Sequence, residues 1–223
     1  MAVVFFVIKM FLYALCLLIL LAVGALLRLM VSRRKYEQKE IDMGRLRKGD
    51  VILTGTNKNI TAFQIKISNI LTNGIDSKYW THAALHIGGG KLIEAEPKGI
   101  VYNSVGKYLK KGEVVKVYRN RYIGDEGILD KVIDFCEEAK KEKFSYGWIG
   151  LIFYVLATFL PVSVNFIFDN KLIDKLCNLD QAYFCSELIA DAYKEAGYKI
   201  TPFDSWRIKP SDFIKSPFFK EIY

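Results

Sequence analysis

Apolar and polar positions follow the period of β-strands at several places after residue 45. Residues 51–54 are an apolar run that comes directly after the turn-forming pair Gly49 and Asp50, and they predict a strand. The glycines at 88–90 lie between two further runs and predict the turn of a hairpin. The other strands that the pattern predicts are residues 82–87, 92–96, 100–101 and 113–118.

Two longer segments have the spacing of amphipathic helices. Residues 125–141 place Ile128, Val132 and Cys136 on one face. Residues 184–197 carry a second apolar stripe and end at Gly197, which suits a helix C-cap. Residues 61–71 have a mixed pattern, for which we expect a short helix. The whole pattern predicts an α+β domain in which helices pack on an antiparallel sheet.

The first thirty residues have a different character. Residues 2–31 are apolar apart from Lys9 and Arg28, and residues 10–27 would form about 27 Å of helix. That length nearly spans a hydrocarbon core of ~30 Å. Basic residues follow the run, which is unlike a cleavable signal peptide, the alternative interpretation. We therefore expect a single-pass membrane anchor over 1–35 and a main domain over 36–223.

The orientation of that anchor follows from the charges on its two sides. The basic excess after residue 27 places the main domain in the cytoplasm, whereas Lys9 and the amino terminus favour the opposite orientation. A second uncharged run, 148–168, contains Pro161 and Asn165. We expect it to pack on the domain or to enter one leaflet, because a second crossing would separate His82 from Cys185. A true span is the alternative.

Charge and cysteine content narrow the classes of function. The net charge of +8 suits an anionic membrane surface or nucleic acid, but no nucleic-acid-binding motif is visible, so we expect no nucleic-acid partner. The four cysteines contain no CxxC pair, which argues against a zinc ribbon. We expect Cys136 to fill the core, and we predict no cofactor.

Cys185 is the candidate nucleophile, because it lies where the second long helix begins. Amide groups and the positive end of the helix dipole there favour a thiolate. His82 is the candidate base, and it shares a strand face with Ala84 and His86. A small cysteine that only packs in the core, and a histidine that only packs beside Trp80, are the alternatives.

Two glutamates compete to orient the imidazole of His82. Glu94 and Glu96 lie on one strand face, and a three-glycine loop would place Glu96 opposite His82 and Glu94 on the diagonal. The spacing leaves both open. His82 and His86 could ligate zinc on a helix, but on a strand they are ~13 Å apart, so we predict no metal site.

With these residues in place, the chain resembles the circularly permuted papain-like enzymes of the YaeF/YiiX type, within the NlpC/P60 superfamily. The resemblance covers roughly residues 46–213. It rests on the segments Arg47-Lys48-Gly49-Asp50, Trp80-Thr81-His82-Ala83-Ala84, Leu92-Ile93-Glu94-Ala95, Phe184-Cys185-Ser186-Glu187 and Lys209-Pro210-Ser211-Asp212.

The resemblance implies a permuted papain-like fold in which the histidine precedes the cysteine. It implies Cys185 as nucleophile, His82 as base and Glu94 as the third member of a triad. The expected activity is that of a membrane-anchored amidase or peptidase, acting on a peptide, a peptidoglycan fragment or a lipid through a thioester. The alternatives are a lipid acyl hydrolase or acyltransferase of the lecithin:retinol-acyltransferase-like type, and a non-catalytic membrane-bound binding module.

Overall fold

A computed structural model of the chain describes residues 41–55, 66, 79–110, 114–146, 182–202, 205 and 208–223. These belong to one compact unit, residues 37–223. The expected anchor over 1–35, the apolar run 148–168 and the short helix at 61–71, apart from Lys66, lie outside the described residues. Within the described part, no helix combines the length and apolarity that crossing a bilayer requires.

The main feature of the fold is a six-stranded antiparallel sheet, which confirms the predicted α+β class. Its strands are β1 (Val51–Thr54), β2 (His82–Gly88), β3 (Lys91–Glu96), β4 (Gly99–Ser104), β5 (Val115–Asn120) and β8 (Phe219–Glu221). Their order across the sheet is β4-β3-β2-β1-β5-β8, and every neighbouring pair is antiparallel. A separate parallel pair joins β6 (Ser145–Tyr146) to β7 (Ala182–Tyr183).

The described helices are α1 (Val105–Lys110), α2 (Glu126–Lys141), α3 (Cys185–Glu195) and α4 (Asp212–Lys215), together with a 3₁₀ turn at Met43–Arg45. The two long ones lie where the periodicity predicted them. Asp125 caps α2, since its carboxylate accepts a hydrogen bond from the amide of Gly127 at 2.8 Å. The predicted strand at 113–118 is shifted and runs from Val115 to Asn120.

Apolar side chains cover both faces of the sheet. On one face Leu53, Leu85 and Ile93 belong to the same buried cluster as Val132 of α2 and Leu188 of α3. The opposite face holds a smaller cluster, formed by Ile52, Ala84, Leu92, Val117, Val105 and Tyr108. The alternation of β-strand side chains thus separates a large helix-covered core from a smaller one beneath α1.

The turn before β1 depends on Gly49 and Asp50. Gly49 has φ of +79°, and a Cβ there would meet a side-chain carbon of Leu129 at 2.5 Å. The fully buried carboxylate of Asp50 accepts hydrogen bonds from the amide of Arg47 and from the guanidinium of Arg119, at 2.7 to 2.9 Å. This ion pair fixes the start of β1 against β5.

A β-bulge sets the face of β3 that meets His82. Gly88 pairs with Lys91, but Leu85 pairs with Ile93, so the register shifts by one residue between His86 and Gly88. Without that shift Glu94 would lie opposite Leu85 and its side chain would turn to the other face of the sheet. The three glycines, all at positive φ, make both the bulge and the turn possible.

Candidate active site

Cys185 is the first residue of α3, and two contacts fix the helix start around it. The extended N-cap residue, Phe184, donates its amide to a carboxyl oxygen of Glu187 at 3.2 Å. The hydroxyl of Ser186 donates to the carbonyl of Ile208 at 2.6 Å. Cys185 itself is 1% exposed and is a free thiol. The carbonyl of Ile208 therefore helps to hold the first turn of the helix that carries the cysteine.

His82 is the first residue of β2, and its side chain is 17% exposed. Its Nε2 lies 2.7 Å from Oε2 of Glu94, and Cys185 lies close enough to the ring to raise its pKa. The structure thus brings together the three side chains that the sequence singled out. Because a carboxylate can only accept, the proton of this hydrogen bond is on Nε2.

Glu94 has a fully buried side chain, and both of its oxygens have partners. Oε2 accepts hydrogen bonds from His82 and from the hydroxyl of Tyr108, the latter at 2.5 Å. Oε1 accepts a hydrogen bond from Nδ2 of Asn103 and lies 3.6 Å from Nζ of Lys107. A buried carboxylate with this set of donors is stable as an anion.

Glu96 has a different position from its neighbour in the strand. Its Oε1 lies 2.7 Å from Nζ of Lys107 and 3.2 Å from Nδ2 of Asn103, and its side chain is 26% exposed. The register of Leu85 with Ile93, extended along both strands, puts Glu96 opposite His82 and Glu94 on the diagonal. It is nevertheless the diagonal glutamate that contacts the imidazole.

The pKa values of the two central groups move apart. Burial alone would raise the pKa of Glu94, but the charge and hydrogen bond of His82, with Tyr108 and Lys107, lower it to about 2. Burial alone would lower the pKa of His82, but Cys185 and Glu94 together raise it well above its ordinary value. The arrangement therefore favours an imidazolium beside the carboxylate of Glu94, with Cys185 nearby.

His86 has a structural role. Its Nδ1 donates to the carbonyl of Arg47 at 2.8 Å, and its Nε2 accepts a hydrogen bond from the amide of Gly90 at 3.2 Å. Both ring nitrogens are therefore used to join the turn before β1 to the hairpin. Within the part that the structure describes, no group of three or more His, Cys, Asp or Glu side chains could hold a metal ion.

Sequence reasoning missed Asn103, Lys107 and Tyr108. Asn103 reaches Glu94 from β4, and Lys107 and Tyr108 reach it from α1. A connection of only two residues between β3 and β4 brings these elements beside Glu94. That short connection pairs Leu92 with Asn103, so Asn103 shares the face of Glu94. This register was readable from the sequence, whereas the helix that carries Lys107 and Tyr108 has too few residues for a periodic signal.

One cavity in the described part of the molecule lies away from this site. It has a volume of about 370 Å³ and is lined by residues that include Arg47, Gly49, Gly88 and Tyr193. Gly88 ends the strand that His82 begins, so the cavity lies roughly 20 Å along β2 from the imidazole. We therefore assign no part of the His82 chemistry to it.

Comparison with known proteins gives one informative similarity. The chain is 23% identical over 188 residues to the "Probable lipoprotein peptidase YaeF" of Escherichia coli (strain K12). The match covers 79% of this chain but only 65% of that protein, slightly less than two thirds of its length. No family model matches the chain. Over most of its own length the chain is therefore similar to a protein whose name describes it as a probable peptidase.

Proposed function

We propose that this chain is a cysteine hydrolase of amide bonds, in a circularly permuted papain-like domain with Cys185 as nucleophile, His82 as base and Glu94 as the orienting acid. The observation that carries the proposal is the position of His82, whose Nε2 contacts Glu94 and whose pKa Glu94 and Cys185 together raise. A histidine that only packs in a core has no need of a buried carboxylate and a thiol together.

The reaction begins from the ion pair that forms when the thiol proton of Cys185 moves to His82, a transfer that the raised pKa of the imidazole favours. Because Nε2 is held by Glu94, Nδ1 is the ring nitrogen that receives this proton. The sulfur of Cys185 then attacks the carbonyl carbon of the substrate, and a tetrahedral oxyanion forms. Backbone amides at the start of α3, which the helix leaves without intrahelical partners, donate to that oxyanion.

Collapse of the tetrahedral species completes the first half. The imidazolium of His82 gives its proton to the leaving amine, the carbon–nitrogen bond breaks and a thioester remains on Cys185. In the second half, neutral His82 takes a proton from water, and the hydroxide attacks the thioester carbonyl. The sulfur leaves, the acid product is released, and Cys185 and His82 return to their starting state. Glu94 stabilises the imidazolium in both halves.

A peptide-type amide is the substrate class we propose, and it is the class that the name of the Escherichia coli relative supports. We also propose that the protein is anchored in a membrane. Residues 1–35, an apolar run with a basic flank, would anchor the protein in a single pass, and the domain over 36–223 would act in the cytoplasm beside the bilayer.

An activated ester tests this chemistry without knowledge of the natural substrate. The full-length protein is incubated with p-nitrophenyl acetate, and the acetylated peptides are identified by mass spectrometry. We expect acetylation of Cys185, no acetylation at that position in Cys185→Ala, and a strong loss in His82→Ala. Cys136, a buried thiol whose pKa burial raises, is the internal reference. Acetylation of Cys185 that is no faster than that of Cys136 would overturn the proposal.

A further inference from the structure

Around Glu94 the structure holds a set of side chains that the triad itself does not require. Tyr108 donates to the same oxygen as His82, while Asn103 and Lys107 meet the other oxygen. Tyr108 is 5% exposed, and the ammonium of Lys107 lies 5.2 Å from the centre of its ring. The contacts reach Glu94 from two elements, β4 and α1.

The placement of these donors has a geometric consequence. A glutamate side chain has three rotatable bonds, and a single hydrogen bond to His82 would leave the carboxylate free to turn. Donors on both oxygens fix its plane, so Oε2 remains in front of Nε2 of His82. Glu96 takes part as the second acceptor for Asn103 and Lys107, which ties the two donors to the strand.

We propose that Tyr108 and Lys107, with Asn103, are positioning residues that hold the Glu94 carboxylate against His82 and so direct the opposite ring nitrogen at Cys185. The catalytic consequence of this inference rests on the proposed function. The position of the Glu94 carboxylate can be tested separately, through the titration of His82. Residues of α1 and β4 would thus contribute to the reaction at a site whose reacting groups lie on β2 and α3.

The direction in which the pKa of His82 changes distinguishes positioning of the Glu94 carboxylate from a direct electrostatic effect of Lys107 or Tyr108. The titratable groups around His82 are Glu94 on β3, Cys185 on α3, and Lys107 and Tyr108 on α1. Loss of the Lys107 charge alone removes repulsion and would raise the pKa of His82. Loss of the Tyr108 donor alone would make the carboxylate more basic and act in the same direction. Release of Glu94 from its position lowers the pKa of His82.

The measurement is the NMR titration of the imidazole in full-length protein. It is practical because the chain has only 2 histidines. The parent protein carries Cys185→Ala, which removes the thiol next to the imidazole. Glu94→Gln in that parent gives the fall in the His82 midpoint when the Glu94 carboxylate is lost completely. We expect Tyr108→Phe and Lys107→Met to lower the midpoint of His82 by part of the Glu94→Gln change. An unchanged or raised midpoint in both variants overturns the inference.

The chain offers a matched control pair. Tyr102 and Lys140 form the same kind of contact, with the ammonium 4.6 Å from the ring centre, and Tyr102 is 49% exposed. Tyr102→Phe and Lys140→Met should leave the midpoint of His82 unchanged. A shift in these controls equal to that of the test variants would also overturn the inference.

A second readout, with Cys185 present, links the positioning to the reaction. The rate of Cys185 acetylation should fall roughly tenfold in Tyr108→Phe, because a hydrogen bond to a charged group is lost. The controls should stay within about twofold of wild type. If the wild type shows no acetylation but the midpoints shift as described, the proposed function fails and the positioning stands. If the wild type reacts but Tyr108→Phe matches the controls in both readouts, the positioning fails alone.

Discussion

Thr54 lies directly opposite His82 in the ladder between β1 and β2, and its hydroxyl is fully buried with no hydrogen-bond partner within the described part of the chain. The two side chains share one face of the sheet, because opposed residues of an antiparallel pair do. A buried hydroxyl without a partner costs about 1–3 kcal/mol relative to one that is paired. The unpaired hydroxyl of Thr54, beside the proposed base, therefore reduces the stability of the fold.

We predict that Thr54→Val stabilises the protein. The substitution keeps the branched shape of the side chain and removes the unpaired oxygen, so the free energy of unfolding should rise by about 1 kcal/mol. Denaturant unfolding at neutral pH measures this change. The control is Ser186→Ala, where a buried hydroxyl that donates at 2.6 Å is lost and stability should fall by a similar amount. A fall in stability in Thr54→Val would show that its hydroxyl has a partner in solution.

The ion pair between Arg119 and Asp50 gives a larger expected effect. Arg119→Met leaves the fully buried carboxylate of Asp50 without its counter-charge, which should cost about 3–5 kcal/mol in unfolding free energy. Arg121→Met is the matched control, since that guanidinium donates to the carbonyl of Phe219 and neutralises no buried acid in this contact. Equal losses in the two variants would contradict the importance of the charge pair at the start of β1.

Glu187 makes stability depend on pH. Burial, with help from the charges of Asp191 and Cys185, raises its pKa to about 8, although the Phe184 amide opposes the shift. The folded state therefore holds the proton more tightly than the unfolded state does. This contribution to stability is complete below the unfolded pKa of about 4.5, and it is lost as pH rises through the folded value.

Glu187→Gln should remove that dependence, because the neutral amide keeps an oxygen for the Phe184 amide. At pH 8 we expect the variant to be more stable than wild type by at least about 1 kcal/mol, since each pKa unit corresponds to about 1.4 kcal/mol. At pH 4 the two proteins should be equal. Thermal unfolding across this range measures the difference, and a constant offset at every pH would count against the raised pKa.

Much of the site could be anticipated because its members lie at positions with strong local signals. The glycine triplet fixes the hairpin that carries His82 and Glu94, and the apolar stripe of residues 184–197 locates the helix that begins at Cys185. The helix starts one residue later than the pattern indicated, because Phe184 is extended and serves as the N-cap.

The remaining features depend on long-range contacts that no local pattern reveals. A count of loop residues placed both Glu94 and Glu96 on the face of His82, but it could not show which of them contacts the imidazole. The parallel pair of β6 and β7 has two residues in each strand, too few for any periodicity. The partner of Asp50 is Arg119, which is distant in sequence and adjacent only in the folded sheet.

The alkylation rate of Cys185 by iodoacetamide at neutral pH is the most direct test of the central claim, that Cys185 and His82 act as one nucleophile and base. Peptide mapping gives this rate with Cys136 as the reference in the same molecule. We predict that Cys185 reacts much faster than Cys136, and that His82→Ala slows it by about a hundredfold or more. Equal, slow labelling of both cysteines, or a Cys185 rate that His82→Ala leaves unchanged, would contradict the account.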